Sequence, residues 1–314
     1  MTGQGDFTIC GRLAPSPTGA QHVGNARTYL IAWLAVRAGG GKIRLRIEDI
    51  DGPRIKPGAA DQALEDLRWL GLDWDGEPVV QSARMPIYRS ALEELVRQDL
   101  VYPCTCSRSD VLAAASAPHA GDEGPAYPRT CAGRHAGEVP DRPHCWRFRV
   151  EESPSFIDRF RGPTRLDITK AVGDFVVWKN DDTPAYQLAV AVDDAAMGIT
   201  QVVRGDDLIP STPRQILLYR ALDLVPPEFA HVPLVVGPDG RRLAKRHGDT
   251  RLATLRSQGV TAESLTGLLA WSCGWIDTIR PVTATEVIPR FDLASIPKEP
   301  FVLTSGHLQT IGSS

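Results

Sequence analysis

The chain has 314 residues, with 35 Lys and Arg against 38 Asp and Glu, a formal charge of −3. No global basic field therefore advertises nucleic acid, although a local basic face can still bind RNA. Hydrophobic residues at 42% and charged residues at 23% suit a soluble protein of about two domains with a core that needs no covalent staples. No apolar run reaches membrane-spanning length and no signal-peptide pattern opens the chain, which predicts a cytoplasmic protein with reduced thiols.

The first landmark is Arg12-Leu13-Ala14-Pro15-Ser16-Pro17-Thr18-Gly19-Ala20-Gln21-His22-Val23-Gly24-Asn25. It follows a short apolar start (Phe7, Ile9) and precedes an apolar-periodic run (Tyr29, Leu30, Trp33, Leu34). The order is strand, Gly/Pro-rich turn, helix. Such a turn aims backbone N–H groups and the positive end of a helix dipole at one point, where an anion would sit. His22 lies two residues before Gly24, where its ring can reach that anion and the missing Cβ lets a nucleotide approach. A lone His-x-Gly would usually be an incidental βα turn. Here one arginine, two prolines and two glycines share the stretch with it.

Residues 25–38 read as a helix. Residues 42–47 alternate basic and apolar as a strand with one buried face. That strand delivers Glu48-Asp49-Ile50-Asp51 at its C-terminal end, the edge where open α/β sheets bind ligands. Asp49 and Asp51 fit a capped turn as well as a site. Glu48 is the first polar residue off the strand. Helices are predicted at 60–70 and 86–99. From 100 to 178 the composition shifts, and this segment reads as an insertion interrupting a parallel α/β unit. It contains Cys104-Thr105-Cys106, an Ala/Gly/Pro-rich loop over 111–126, Tyr127-Pro128-Arg129-Thr130-Cys131, and strands at 146–150 and 173–178. Residues 185–194 form a helix or a strand running into an acidic turn. A buried strand over 199–205 ends in Arg204, and a helix follows from 212 to 222 with proline near its start. A strand is predicted at 231–236 and a turn at 237–240. Beyond Asp249 the pattern is helical and loop-rich.

Arg241-Arg242-Leu243-Ala244-Lys245-Arg246-His247-Gly248 is the second landmark. Alone it would be a solvated charge run. A mobile cationic loop after a strand also suits a polyphosphate, because it can follow charge onto a leaving pyrophosphate. Of the six cysteines, Cys104, Cys106 and Cys131 crowd into one segment, which suggests metal more than disulfide. Zinc takes four ligands, usually thiolate or imidazole. His119, His135 and His144 are chemically better fourth ligands than Tyr127, and Cys145 reads as a small buried hydrophobe, like Cys10 and Cys273.

Ser16-Pro17-Thr18-Gly19 followed by His22-Val23-Gly24-Asn25 resembles the HIGH signature of class I aminoacyl-tRNA synthetases in its glutamyl form. Residues 241–248 resemble the KMSKS loop, with Arg242 in place of the first lysine, Ala244 in place of the serine and Lys245 on the second lysine. Arginine keeps the charge without the point-charge geometry, and Ala244 lacks a hydroxyl for phosphate. Cys-x-Cys followed by Tyr-x-x-x-Cys is similar to the zinc site of one subfamily, the glutamyl-queuosine tRNA(Asp) synthetases. There the metal ligands would be Cys104, Cys106, Tyr127 and Cys131, with a longer gap between the halves here. The resemblance spans about residues 10–250 and includes Arg46 to Asp51, Val203 to Leu208 and Ser211 to Gln215.

The resemblance implies a Rossmann-like α/β catalytic domain in two halves, 1–99 and 179–250, an inserted zinc-binding subdomain at 100–178, and a short helical region at 251–314. A full glutamyl-tRNA synthetase carries an anticodon-binding domain after the KMSKS loop, and the remaining sixty-odd residues are too few for one. By the same resemblance His22 and Lys245 are catalytic. Thr18, Gly19, His22, Gly24, Asn25, Arg242 and Lys245 hold ATP. Arg12, Ala14, Ser16, Glu48, Tyr186 and Arg204 form the glutamate pocket. ATP with Mg²⁺, Zn²⁺, L-glutamate and queuosine-bearing tRNA(Asp) are the implied cofactors and partners, and the chain is expected to be a monomer. The alternatives are a shortened glutamyl-tRNA synthetase acting on the tRNA 3′ end and a non-catalytic RNA-binding paralogue.

Overall fold

The computed structural model describes residues 9–50, 52–114, 126–243 and 249–312. The first elements are β1 (Cys10–Leu13), α1 (Val23–Arg37), β2 (Lys42–Ile47), α2 (Ala59–Trp69), β3 (Val79–Val80) and α3 (Met85–Arg97). Next come β4 (Val101–Cys104), α4 (Arg108–Ala114), β5 (Cys145–Phe148), β6 (Phe156–Asp158), β7 (Gly162–Thr164), α5 (Ile168–Ala171) and β8 (Phe175–Trp178). They are followed by α6 (Tyr186–Ala196), β9 (Gln201–Gly205), α7 (Ser211–Ala221), β10 (Glu228–Val232), β11 (Val235–Val236) and α8 (Leu252–Ser257). The last are α9 (Ala262–Ser272), α10 (Ala284–Val287), β12 (Phe301–Val302) and α11 (Ser305–Gly312).

Two compact units are built from these elements. The first takes residues 1–81, 199–208 and 228–314; the second takes 82–198 and 209–227. The insertion expected at 100–178 lies wholly within the second.

In the first unit β1, β2 and β3 run parallel, as do β9 and β10. Thr200 N–H donates to Cys10 O (2.8 Å), which puts the lead-in of β9 beside β1. Helix α1 covers these strands with Leu30, Ile31, Trp33 and Leu34, each at most 2% exposed. A Cβ at residue 11 would meet Val36 Cγ2 at 2.4 Å, so Gly11 is what lets α1 lie close on β1. Arg27 is 1% exposed in this helix. Its guanidinium donates to Ser272 Oγ (3.0 Å), Ser272 O (3.4 Å) and Pro233 O (2.8 Å), which ties α1 to the end of α9.

In the second unit β4, β5 and β8 form an antiparallel sheet. Residues 185–194 prove to be helical, and the expected acidic turn does not form. Asp193 and Asp194 are buried inside α6. Asp193 accepts from Arg84 Nε and Tyr88 Oη, both at 2.7 Å, and so joins α3 to α6. The predicted strand at 231–236 divides into β10 and β11 on either side of Pro233, which has no N–H for a ladder. The predicted loop over 111–126 begins inside α4, and residues 115–125 lie outside the described set. Among the described residues no helix is long and apolar enough to cross a membrane.

Candidate active site and metal cluster

Helix α1 begins at His22, whose ring is the cap. Its Nδ1 accepts from the N–H groups of Gly24 (3.1 Å) and Asn25 (3.4 Å), and Asn25 Oδ1 accepts from the His22 N–H (3.2 Å). An imidazole that accepts at Nδ1 carries its proton on Nε2. Burial lowers the His22 pKa, which favours this neutral donor form. A Cβ on residue 24 would lie 3.0 Å from the His22 ring, so glycine leaves the ring room to fold back over the helix start without a shift.

The segment that follows the second landmark, Thr250 to Leu252, returns to the first. Val23 N–H donates to Thr250 O (3.0 Å) and Leu252 N–H to Gln21 O (2.9 Å), with a bridge between His22 and Arg251. On the other side of the basic loop, Arg242 bridges Val236 and Gly237 N–H donates to Arg241 O (2.8 Å). Ala244, Lys245, Arg246, His247 and Gly248 lie outside the described residues; both flanks of the loop lie within them. His22, Gly24, Asn25, Tyr29, Arg204 and Arg242 line one cleft of about 470 Å³. Arg242 pairs with Asp207 at its rim. Arg204, 4% exposed, donates from Nε to His231 Nε2 (3.0 Å) and lies over the Phe229 ring.

Of the residues expected to bind glutamate, Ser16 and Glu48 meet where β2 ends. Glu48 leaves the end of β2 with its N–H on Pro15 O (3.0 Å). Its carboxylate accepts from Ser16 Oγ (3.3 Å) and pairs with the buried Arg46 (2.9 Å). Burial pushes the Tyr29 phenol up, and the Glu48 charge adds to this while Arg12 opposes it. Both charges therefore act on one ring of the cleft wall. Arg12 is buried, Ala14 is half-buried, and Thr18 and Gly19 sit on the turn outside the cleft lining. Tyr186, 37% exposed, opens α6 in the second unit.

The cysteines form a second centre. The Sγ atoms of Cys104, Cys106 and Cys131 all lie within 4.8 Å of one another. Tyr127 Oη is 3.3 Å from Cys104 Sγ and 3.7 Å from Cys106 Sγ, and accepts the Cys131 N–H (3.0 Å). Three soft donors and a phenol oxygen converging this tightly fit a four-coordinate zinc. Cys104 is held below the ordinary thiol range by hydrogen bonds, first from Cys145 and then from Tyr127. The imidazoles are engaged elsewhere: His135 Nδ1 meets Asp99 (2.9 Å), and His144 Nδ1 meets Arg142 O (3.1 Å). His119 lies outside the described residues. Cys145 is half-buried and packs against the cluster.

Comparison with known proteins completes this picture. The family model described as tRNA synthetases class I (E and Q), catalytic domain, matches residues 8–308. The chain belongs to this family. It is a class I synthetase of the ligase type, with the α/β Rossmann-like catalytic fold. A glutamyl-Q tRNA(Asp) synthetase from Symbiobacterium thermophilum is 52% identical, over 93% of this chain and 95% of its own length. One from Rhodopirellula baltica is 50% identical, over 94% and 96%. A glutamate tRNA ligase from Elizabethkingia meningosepticum, solved with its amino acid, superposes with a TM-score of 0.82 at 28% identity, covering 96% of this synthetase and 68% of that chain.

Sequence reasoning did not single out Arg46, Asp207, His231 or the strap at Thr250–Leu252. Arg46 was visible as a basic position in an alternating strand and as the first residue of a matching stretch, with no role attached to it. Its buried pairing with Glu48, two positions on and just past the strand end, could have been read from that periodicity.

Proposed function

We propose that this synthetase activates L-glutamate with ATP and transfers it to queuosine in the anticodon loop of tRNA(Asp). The observation that carries the reading is the shared cleft. His22, which caps α1, and Arg242, at the start of the basic loop, line one cavity beside the Arg12, Ser16 and Glu48 group. The names of the two bacterial relatives support the acceptor.

Arg12, with Ser16 beside it, takes the side-chain carboxylate of glutamate, and Glu48 takes its ammonium. Ala14 and Arg204 complete the part of the pocket that the first unit supplies. Thr18, Gly19, Gly24 and Asn25 receive ATP with its Mg²⁺ at the N-terminus of α1. The glutamate α-carboxylate attacks the α-phosphorus. The His22 Nε2–H, Arg242 and Lys245 stabilise charge there and on the departing pyrophosphate. A queuosine hydroxyl then attacks the adenylate carbonyl and AMP leaves. Positioning and electrostatics carry the rate with little acid–base chemistry. Cys104, Cys106, Cys131 and Tyr127 would hold zinc, which would crosslink the two halves of their segment.

Two assays test this. ATP–pyrophosphate exchange should depend on L-glutamate and proceed without tRNA. Radiolabelled glutamate should then load onto queuosine-containing tRNA(Asp), and not onto queuosine-free tRNA(Asp) or tRNA(Glu). Loading of tRNA(Glu) at its 3′ end would instead make this a shortened glutamyl-tRNA synthetase. Absence of exchange would leave the non-catalytic reading.

A further inference from the structure

We propose that Arg147 is a positioning residue of the metal cluster, holding the Cys104 thiolate and the Tyr127 ring together in ligating geometry. This rests on the zinc reading above.

The sheet register creates the arrangement. In the antiparallel pair β4–β5, Cys104 lies opposite Cys145 and Tyr102 opposite Arg147. Directly paired residues share a face, and so do residues two apart. All four side chains therefore point to the cluster side. Arg147 Nε donates to Cys104 Sγ (3.3 Å), and its guanidinium carbon lies 3.8 Å from the centre of the Tyr127 ring. One planar cation thus touches two of the four ligands.

Arg147 is itself fixed. Its Nη1 donates to Asp174 O (2.9 Å). The Asp174 side chain accepts from Tyr102 Oη (2.7 Å) and from Val150 N–H (2.8 Å), and pairs with Arg129 (3.2 Å). Two residues earlier, Val172 O accepts the Tyr127 N–H (3.0 Å). The lead-in to β8 therefore anchors both the cation and the phenol it covers. Three thiolates around a divalent ion leave net negative charge, and among the described side chains in contact with these ligands Arg147 supplies a compensating cation. Partners of this kind orient ligands and raise metal affinity. Lysine could supply the charge but neither the flat stacking surface nor the Nε–H in its fork.

The test uses the full-length chain with Arg147→Met and Arg147→Lys. Zinc affinity is read by competition with a chromophoric chelator, and the site itself by thiolate-to-metal absorption after Co²⁺ loading. Arg147→Met should still bind one metal but about 10–100-fold more weakly, with altered cobalt bands; Arg147→Lys should fall between. A merely structural role would leave the cobalt spectrum unchanged. If Arg147→Met does not fold, Arg147→Lys decides: wild-type affinity and bands in that variant overturn the proposal. Wild-type chain that takes up no zinc overturns the zinc reading and this one with it. Variants that match a zinc-binding wild type overturn this one alone.

Discussion

His22 performs two tasks with two nitrogens, and they can be separated. Nδ1 caps α1, and Nε2–H is the donor offered to the cleft. Asparagine is among the best N-cap residues but is too short to replace the second nitrogen. His22→Asn should therefore keep the melting temperature within a degree or two while ATP–pyrophosphate exchange falls by about 10²–10³ in kcat, the typical loss for one transition-state donor. His22→Ala should lose the same activity and, in addition, about 1 kcal/mol of stability. Equal stability loss in both variants would disprove the division. The pH dependence follows from the same cap. The folded-state pKa lies below the ordinary value of 6.5, so the unfolded chain binds more protons in that window. His22 contributes its full stability above pH 6.5 and loses it as pH falls towards the depressed value. Wild-type melts should drop on acidification more than those of His22→Asn. The sequence made this residue legible because cap, glycine and histidine are adjacent. Arg46 with Glu48 was half legible, and Arg204 with His231 was not. The first pair lies two positions apart, on β2 and just past its end, whereas the second depends on β9 and β10 lying in register.

At the scale of elements, local pattern succeeded where alternation, periodicity or a terminal signal marked the element and failed where an apolar run carried none of these. The alternation in β2, the periodicity of α2 and the proline near the start of α7 gave their positions to within a few residues. The run 185–194 is apolar on nearly every side because α6 is buried all round, and such a run does not distinguish helix from strand. Asp193 misled for the same reason. Its partners Arg84 and Tyr88 lie about a hundred positions away in sequence, and an acid with such partners is a core residue rather than a turn residue. Arg27 offers a test of how distant groups hold an element. It carries a buried charge that donates to Ser272 Oγ, Ser272 O and Pro233 O. Arg27→Met fills similar volume but leaves two buried carbonyls without this donor. Hydrogen bonds to a charged group are worth about 1.5–3 kcal/mol each, so a loss of about 2–4 kcal/mol is expected. Thermal unfolding should show it as a clear fall in midpoint. An unchanged midpoint would mean that the guanidinium's desolvation cost cancels its bonds.

Across the whole molecule, the chain spans 95% of the Symbiobacterium relative but 58% of a Synechococcus glutamate–tRNA ligase that it matches at 43% identity. The sequence pointed to an interrupting segment through its composition shift, but the unit that contains it also takes α3, α6 and α7. Those helices join it through contacts such as Gln187 Nε2 to Ser211 Oγ (3.0 Å), which no local pattern announces. Every residue lining the cleft of His22 and Arg242 belongs to the first unit, and every cluster cysteine to the second. The two sites should therefore fail separately. Cys106→Ser removes one thiolate from the cluster, so it should cut zinc content sharply and lower the melting temperature. The affinity for ATP, measured by calorimetry with a non-hydrolysable analogue, should stay within about twofold, since no residue of the cleft is touched and groups that share no partners act independently. Loading of glutamate onto RNA can fall in the same variant without contradiction, because that step uses more of the protein than the cleft. A tenfold loss of nucleotide affinity in Cys106→Ser would mean that the metal cluster sets the geometry of the cleft, and the assignment of nucleotide binding to the first unit alone would have to be abandoned.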